Sequence, residues 1–308
     1  MENTIRSRII VALAFVAIYF VWGTTYLANT FALKGFPPFV LAAFRYFTAG
    51  AFLTVYAMFS GLKWPQIKDL KSLSISGVLM LVGGSGIVVF AQQYIGSGYA
   101  AAIVATEPLW FILFDRQRWH LYFSNKWILA GLIIGFAGIA WFSVLSPSSD
   151  NQIVGNQHWL GTLLLILASI FWVIGTLYGN RSFKSGTSNI TGSTVQLFAA
   201  SLISILIATI RGEWTGFDMA TVSMEGWAGL AYLVIMGSIV AFLAFNWLIK
   251  VQPPAIVSTH TFVNPIVAIF MGWLIVGEQV NFLQMVALMV VLVAVLIIQL
   301  KKPEEVAH

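Results

Sequence analysis

The sequence predicts an all-α integral membrane protein, with ten transmembrane helices in two inverted five-helix repeats around a central cavity. Three observations lead there. First, 59% of the 308 residues are hydrophobic and only 9% are charged, with a mean hydropathy of +0.88. Soluble chains carry about 25% charge, so so few charges cannot cover a water-exposed surface. Second, ten apolar runs reach the roughly 20 residues a spanning helix needs. Third, one unusual layout occurs twice. Ser97–Asp115, SGYAAAIVATEPLWFILFD, sets Glu107-Pro108 inside an apolar run. Pro254–Gly272, PAIVSTHTFVNPIVAIFMG, sets Asn264-Pro265 at the matching place.

In order, the spans are expected at Ile9–Leu33, Phe39–Ser60, Leu73–Gln92, Ser97–Phe114 and Trp127–Leu145. The second five are expected at Trp159–Gly179, Thr191–Ile210, Trp227–Ile249, Pro254–Val276 and Phe282–Leu300. All should be helical, because lipid offers no partner to an unpaired backbone amide. The connections are too short to hold a soluble domain. Arg6 and Arg8 precede the first run, as in a signal peptide, but the run continues to Ala32 without a small-x-small cleavage site. A retained first span is therefore expected. Cysteine is absent, which excludes disulfides, thiolate metal sites and thiol nucleophiles. No cofactor is expected.

Basic residues set the orientation. With the N-terminus inside, thirteen of the sixteen Lys and Arg fall on the inner side, among them Lys63, Lys68, Lys71, Arg116, Arg118 and Lys126. Lys34 and Arg211 alone fall outside, and Arg45 lies within a span. The outer loops collect Asp150, Glu213, Asp218, Glu225 and Glu278 instead. Both termini are thus expected in the cytoplasm of a multi-pass cell (inner) membrane protein. The net charge of +5 follows this sidedness and is not a nucleic-acid signal.

Pro108 aligns with Pro265, Trp22 with Trp172, and Arg45 approximately with Gln196. Residues 1–148 and 149–308 then form two repeats of five spans within one membrane domain. An odd number of spans turns the second repeat upside down, an arrangement of transporters whose solute site lies between the halves near mid-membrane. At about 1.5 Å per residue, Glu107 lies roughly 15 Å from the outer end of its span and Asn264 roughly 15 Å from the inner end of its own. They approach one level.

Glu107 is the one acid deep within a span. It must face a cavity, pair, or be protonated, and it reads either as a solute and proton-coupling site or as a structural hydrogen-bonding acid. Arg45 can bind a solute carboxylate, snorkel to the interface, or serve as a strut locked onto carbonyls and Glu107. His260 is either a ligand or a satisfied core histidine. Asn264, Gln92, Gln93, Gln196 and Asn246 can line a polar cavity or join helices. Trp22, Trp110 and Trp172 lie too deep for interfacial anchors and, with Tyr19, Tyr26 and Tyr94, are candidate cavity walls or plain packing. Gly83-Gly84-Ser85-Gly86 within a helix suits close packing or a flexible point rather than a phosphate cradle. Gly131 and Gly135 make a GxxxG that seats either a helix of this chain or a second subunit.

Taken together, WGTTYLANTFAL, PPFVLAAFRYFTAG, SGYAAAIVATEPLW, GLIIGFAGIAWF and NPIVAIFMGWLIVGEQV make the chain resemble the EamA family of the drug/metabolite transporter superfamily. The resemblance covers nearly the whole chain. It implies ten helices in two inverted repeats, a central cavity and export of small metabolites such as amino acids across the inner membrane. It also implies that Trp22, Gly23, Arg45, Pro108, Pro265 and Glu278 occupy family motif positions. The chain departs from the family at Glu107, where many members carry a neutral residue, and in having Asp115-Arg116 with no first-half counterpart of Gly277-Glu278.

The leading expectation is a secondary transporter working by alternating access on a small-molecule solute, with protons as a candidate partner and the chain a monomer or weak homodimer. The candidate solute-binding residues are Tyr19, Trp22, Tyr26, Arg45, Tyr94, Glu107, Trp110, Trp172, His260 and Asn264. An uncoupled facilitator and a lipophilic-cation or drug exporter are the alternatives. An intramembrane hydrolase using Ser85 and His260 is a remote third, lacking an orienting group. A sugar-phosphate carrier would want more deep cations than Arg45.

Overall fold

The computed structural model describes residues 2–95, 97–145, 158–182, 187–276 and 282–301. Among them every regular element is helical. Each apolar run becomes a helix or a string of helical pieces. The first half contains α1 (Glu2–Ala32), α2 (Pro38–Phe59), α3 (Ile67–Ala91), α4 (Ser97–Val104), α5 (Glu107–Phe114), a short α6 (Trp119–Ser124) and α7 (Lys126–Leu145). The second contains α8 (His158–Ser182), α9 (Asn189–Ile210), α10 (Met224–Val251), α11 (Pro254–Val257), α12 (His260–Met271), continued by a π-helical turn Gly272–Val276, and α13 (Phe282–Lys301).

Seven of these stretches are long and apolar enough to cross a membrane, and an eighth is possible where α6 and α7 meet at a 95° bend. The protein is therefore a multi-pass membrane protein. Its outward side chains agree. Phe47, Phe52, Phe59, Val144, Leu202 and Leu300 are all more than half exposed, a surface that lipid rather than water accommodates. Trp127, Trp159 and Trp227, placed by sequence at span ends, are exposed there.

Local chemistry sets the helix ends. Pro38 opens α2, where a missing N–H costs nothing. Glu213, read from sequence only as an outer-loop acid, accepts from the Phe39 and Val40 amides at 2.8 and 3.3 Å, placing negative charge on the positive end of α2. Ser188 and Ser223 cap α9 and α10. At the other ends, Gly61 and Gly212 adopt φ of +60° and +67°. Beyond them the Leu62 amide reaches the Ala57 carbonyl at 3.0 Å and the Glu213 amide reaches Ala208 at 2.8 Å. These are two copies of one Schellman closure, on α2 and on α9.

The two prolines of the repeated layout act differently. Pro108 sits in the first turn of α5, and its ring would collide with the carbonyl four residues back, that of Val104, where α4 ends. Pro265 lies inside α12 without breaking it. The second interruption comes earlier, at Ser258–Thr259, where the hydroxyls of Ser258, Thr259 and Thr261 bond the carbonyls of Ala255, Ile256 and Ser258. The repeated layout thus carries a break beside Pro108 in the first half and one six residues upstream of Pro265 in the second.

Long-range packing follows a regular exchange. Helix α2 lies along α9, and α7 along α13. Helix α1 packs on α10 and α12, while α8 packs on α3 and on α4–α5. Glycines let the backbones approach. A methyl at Gly77 would meet the Gln196 backbone at 2.5 Å, and one at Gly23 would meet Val267 Cβ at 2.5 Å. The GxxxG of α7 is filled by this chain. Gly131 faces Ala294 and Ile298 of α13, and Gly135 faces the Phe262 ring. That face has no room left to seat a second subunit.

Candidate functional site

Helices α1, α3 and α8, with their neighbours, enclose a cavity of about 690 Å³ of non-atom space, its mouth included. About 80 Å³ of it is open to the centres of water molecules. Since one water needs roughly 10–15 Å³ by that measure, the space holds a handful of waters or part of a small solute.

Seven of the ten candidate residues line this cavity: Trp22, Tyr26, Arg45, Glu107, Trp172, His260 and Asn264. The duplicated tryptophans meet. Trp22 and Trp172 stand edge to face with centroids 5.3 Å apart, and Phe245 packs against both. Trp172 can sit this close to α3 because its neighbour there is Gly84, where a methyl would come within 2.9 Å of the indole. The Gly83–Gly86 run is thus a packing seat. It lies within a π-helical stretch, Val78–Gly86, and a second such stretch, Leu233–Ala241, brings Gly237 and Ser238 to the same cavity. Wider π turns often mark functional sites.

Three candidates lie outside the cavity. Tyr19, one turn before Trp22, bonds Thr259 Oγ1 at 2.7 Å and so ties α1 to the break ahead of α12. Tyr94 follows α3 and stands edge-on to Phe90. Trp110 donates to Thr106 Oγ1 at 3.1 Å and stacks on Phe114 along its own helix.

The charged residues are not paired with each other. Arg45 and Glu107 are only 6% and 5% exposed, yet among the described residues no ion pair joins either to an opposite charge. The strut reading of an Arg45–Glu107 pair is therefore replaced. Arg45 donates from Nε to Ser238 Oγ at 2.7 Å, and its guanidinium lies 5.4 Å from the Tyr46 ring centroid. His260 packs between Trp22 and Phe245, with centroids at 4.7 and 5.8 Å. Its Nδ1 lies 3.0 Å from the Val257 carbonyl, an acceptor, so Nδ1 carries the proton there.

Four buried polar atoms of lining residues have no hydrogen-bond partner among the described residues: Asn29 Oδ1, Glu107 Oε2, Trp172 Nε1 and Asn264 Oδ1. Each such group costs about 1–3 kcal/mol when left unmatched. Concentrated in residues around one cavity, they are hydrogen-bonding capacity that the described chain leaves unused.

Sequence reasoning had not singled out Thr25, Asn29, Ser169 and Ser238, which line the cavity together with Ser85, named there only as a hydrolase nucleophile. Asn29 donates to Gln92 Oε1 at 3.0 Å. Gln196 and Asn246 serve elsewhere. They form a buried chain with Ser76 and Ser193 at 2.8–3.0 Å, beside a second, smaller hollow that Lys250 also lines. Glu278, a motif position of the family, lies outside the described residues.

The EamA-like transporter family matches the chain twice, over residues 9–144 and 159–300. The uncharacterized inner membrane transporter YedA of Escherichia coli (strain K12) is 32% identical over 94% of this chain and 90% of its own. Protein PecM of Dickeya dadantii is 25% identical over 91% and 89% of the two chains. A crystal structure superposes with a TM-score of 0.74 over 95% of this chain and 97% of its own, at 15% identity, a likeness of fold. A fold of broken apolar helices around a polar hollow, and a family match that covers both halves, lead to one conclusion: the chain belongs to the EamA-like transporter family.

Proposed function

We propose that this protein is a secondary transporter of small metabolites, amino acids or related amphiphilic solutes, exporting them across the inner membrane by alternating access. The observation that carries the proposal is the cavity between the two halves, with four buried polar atoms of its lining residues unmatched among the described residues. In this reading residues 1–148 and 149–308 are inverted repeats of five spans each. The packing exchange supports it: α1 on α10 and α12 corresponds to α8 on α3 and α4–α5. The paired Schellman closures and the paired π-helical stretches fall at corresponding places too. Ten crossings follow if α4–α5, α7 and α13 each count as one span, with both termini cytoplasmic.

Glu107 is the proton-coupling group of this scheme, buried, unpaired and open to the cavity. Its exchange with the solute would link the two fluxes. Reconstituted protein tests the role: uptake into proteoliposomes is measured with and without an imposed pH gradient, for the wild type and Glu107→Gln. Loss of gradient-driven accumulation with exchange retained is expected. Unchanged gradient dependence would remove Glu107 from the coupling. A lipophilic-cation exporter is favoured by an acid that lines the same cavity as two tryptophans, and competition by a quaternary cation separates it. The hydrolase reading is weaker, because the His260 ring is wedged between two aromatic rings and its Nδ1 faces a backbone carbonyl rather than an orienting carboxylate.

A further inference from the structure

We propose that the elbow between α5 and α7 is a binding site for anionic phospholipid. Trp119, Phe123 and Trp127 would lie at the boundary of headgroup and acyl chain, and Arg116 and Lys126 would meet lipid phosphates. The elbow needs only that α7 crosses the bilayer, whatever the cavity carries.

Its connection is longer than the matching one in the second half. Residues 115–125 separate α5 from α7, whereas residues 277–281 separate the π-helical turn after α12 from α13. The added length is helical: a 3-10 turn, Arg116–Arg118, runs straight into α6. Together Arg116–Ser124 meet α7 at 95°. With α7 along the membrane normal, that stretch lies flat in the membrane plane.

The elbow is fixed on one side and open on the other. Tyr122 is buried and donates to Asp115 Oδ2 at 2.8 Å, and Arg118 donates to the same oxygen at 3.4 Å. Trp119 Nε1 donates to the Ile112 carbonyl of α5 at 2.7 Å. These bonds tie the elbow to the end of the helix that carries Glu107. On the open side, Trp119 and Phe123 share a face of α6 at a spacing of four, edge to face with centroids 6.1 Å apart. Trp127 follows just past the bend. The three rings are 39, 55 and 46% exposed. Exposed tryptophan beside phenylalanine on an in-plane helix suits the membrane interface rather than water.

The cations stand beside these rings. Arg116 Cζ lies 5.7 Å from the Trp119 ring centroid, and Lys126 Nζ lies 5.6 Å from that of Trp127. Among the described residues neither cation has an ion pair. Asp115, the acid of this segment, is buried and engaged by Tyr122 and Arg118. The open side is therefore net positive. Rings at the acyl edge with cations next to them match the layering of a lipid headgroup region. A zwitterionic headgroup brings its own cation and offsets the attraction; an anionic one leaves its phosphate to Arg116 and Lys126. A second copy fits less well, because a two-fold contact through this face would oppose like charges.

The chain contains no cysteine, so Phe123→Cys gives a single thiol on the elbow for a bimane label. The labelled full-length protein is reconstituted in phosphatidylcholine vesicles at fixed ionic strength. The quencher is a phospholipid brominated high on its acyl chain, with either a phosphatidylglycerol or a phosphatidylcholine headgroup at equal mole fraction. Both are expected to quench, with brominated phosphatidylglycerol the stronger by about threefold. Arg116→Gln together with Lys126→Gln should bring the two to parity and leave quenching by brominated phosphatidylcholine unchanged, the mark of an elbow still folded and in place. Arg116→Lys together with Lys126→Arg should keep the preference. Equal quenching in the wild type, or a preference that survives loss of both charges, would overturn the phosphate contacts. A label that neither lipid quenches would overturn the membrane placement; if aqueous iodide also failed to quench it, the face would belong to a second copy instead.

Discussion

Gly23→Ala probes the contact that holds the helix of Asn264 against α1. The added methyl would lie 2.5 Å from Val267 Cβ, 2.8 Å from Val267 Cγ1 and 3.2 Å from the Asn264 carbonyl oxygen. Carbon atoms in contact sit about 3.5–4.0 Å apart, so α1 and α12 must part by about 1 Å. Overpacking of this kind costs about 1–3 kcal/mol. Replacing a mid-helix glycine returns roughly 0.5–1 kcal/mol. The net loss is then about 0–2.5 kcal/mol, or a few degrees of melting temperature for a chain of this size. Because Asn264 rides on the displaced helix, its amide shifts away from Glu107 and Tyr26, and solute affinity should fall at least tenfold. Thermal unfolding in detergent and solute binding, measured on the same preparation, read the two effects. A variant that melts no lower and binds as well as the wild type would refute the close α1–α12 approach and its link to the cavity.

Two further outcomes follow from the packing. Trp172→Phe keeps a ring beside Trp22 and deletes an unmatched N–H, so stability should move by no more than about 1 kcal/mol, while solute affinity drops roughly fivefold if the indole is a donor to the solute; thermal shift and binding separate the two. Gly138→Val should cost about 1–3 kcal/mol by driving α7 off α13, since even a methyl there would meet Val291 Cγ2 at 2.7 Å; melting should fall with no change of oligomeric state by light scattering.

The helices were legible because apolar run length alone specifies them, and each of the ten runs is helical among the described residues. Trp22, Trp172, Glu107 and Asn264 were legible for a related reason. A polar or large aromatic residue deep in an apolar segment has few places to go, and the repeat marked Trp22 and Trp172, which meet. Partner choice was not legible. Arg45 bonds Ser238, 193 residues away, and periodicity gives a residue's helix face but not which serine faces it. Glu213 looked like a charge sorted to the outer side, and its capping of α2 depends on a contact 174 residues distant. Tyr19, Tyr94 and Trp110 share the composition of the wall residues. What separates Tyr19 from Trp22, three residues on and on the same face of α1, is depth, about 4.5 Å along the axis, and Tyr94 lies beyond the end of α3. The displaced break near Pro265 had a visible cue in the Ser258-Thr259 hydroxyls, which offer carbonyls an alternative partner.

The central claim is that a solute-filled hollow between the halves opens to each face of the membrane in turn. The chain contains no cysteine, so Ser85→Cys introduces a single thiol on the cavity wall without background. Its labelling by a membrane-impermeant maleimide, applied to either side of oriented vesicles with and without saturating solute, is the direct measurement. The account predicts reaction from both sides, slowed by the transported solute. A thiol inert from both sides, or one labelled at the same rate whatever solute is present, would contradict it.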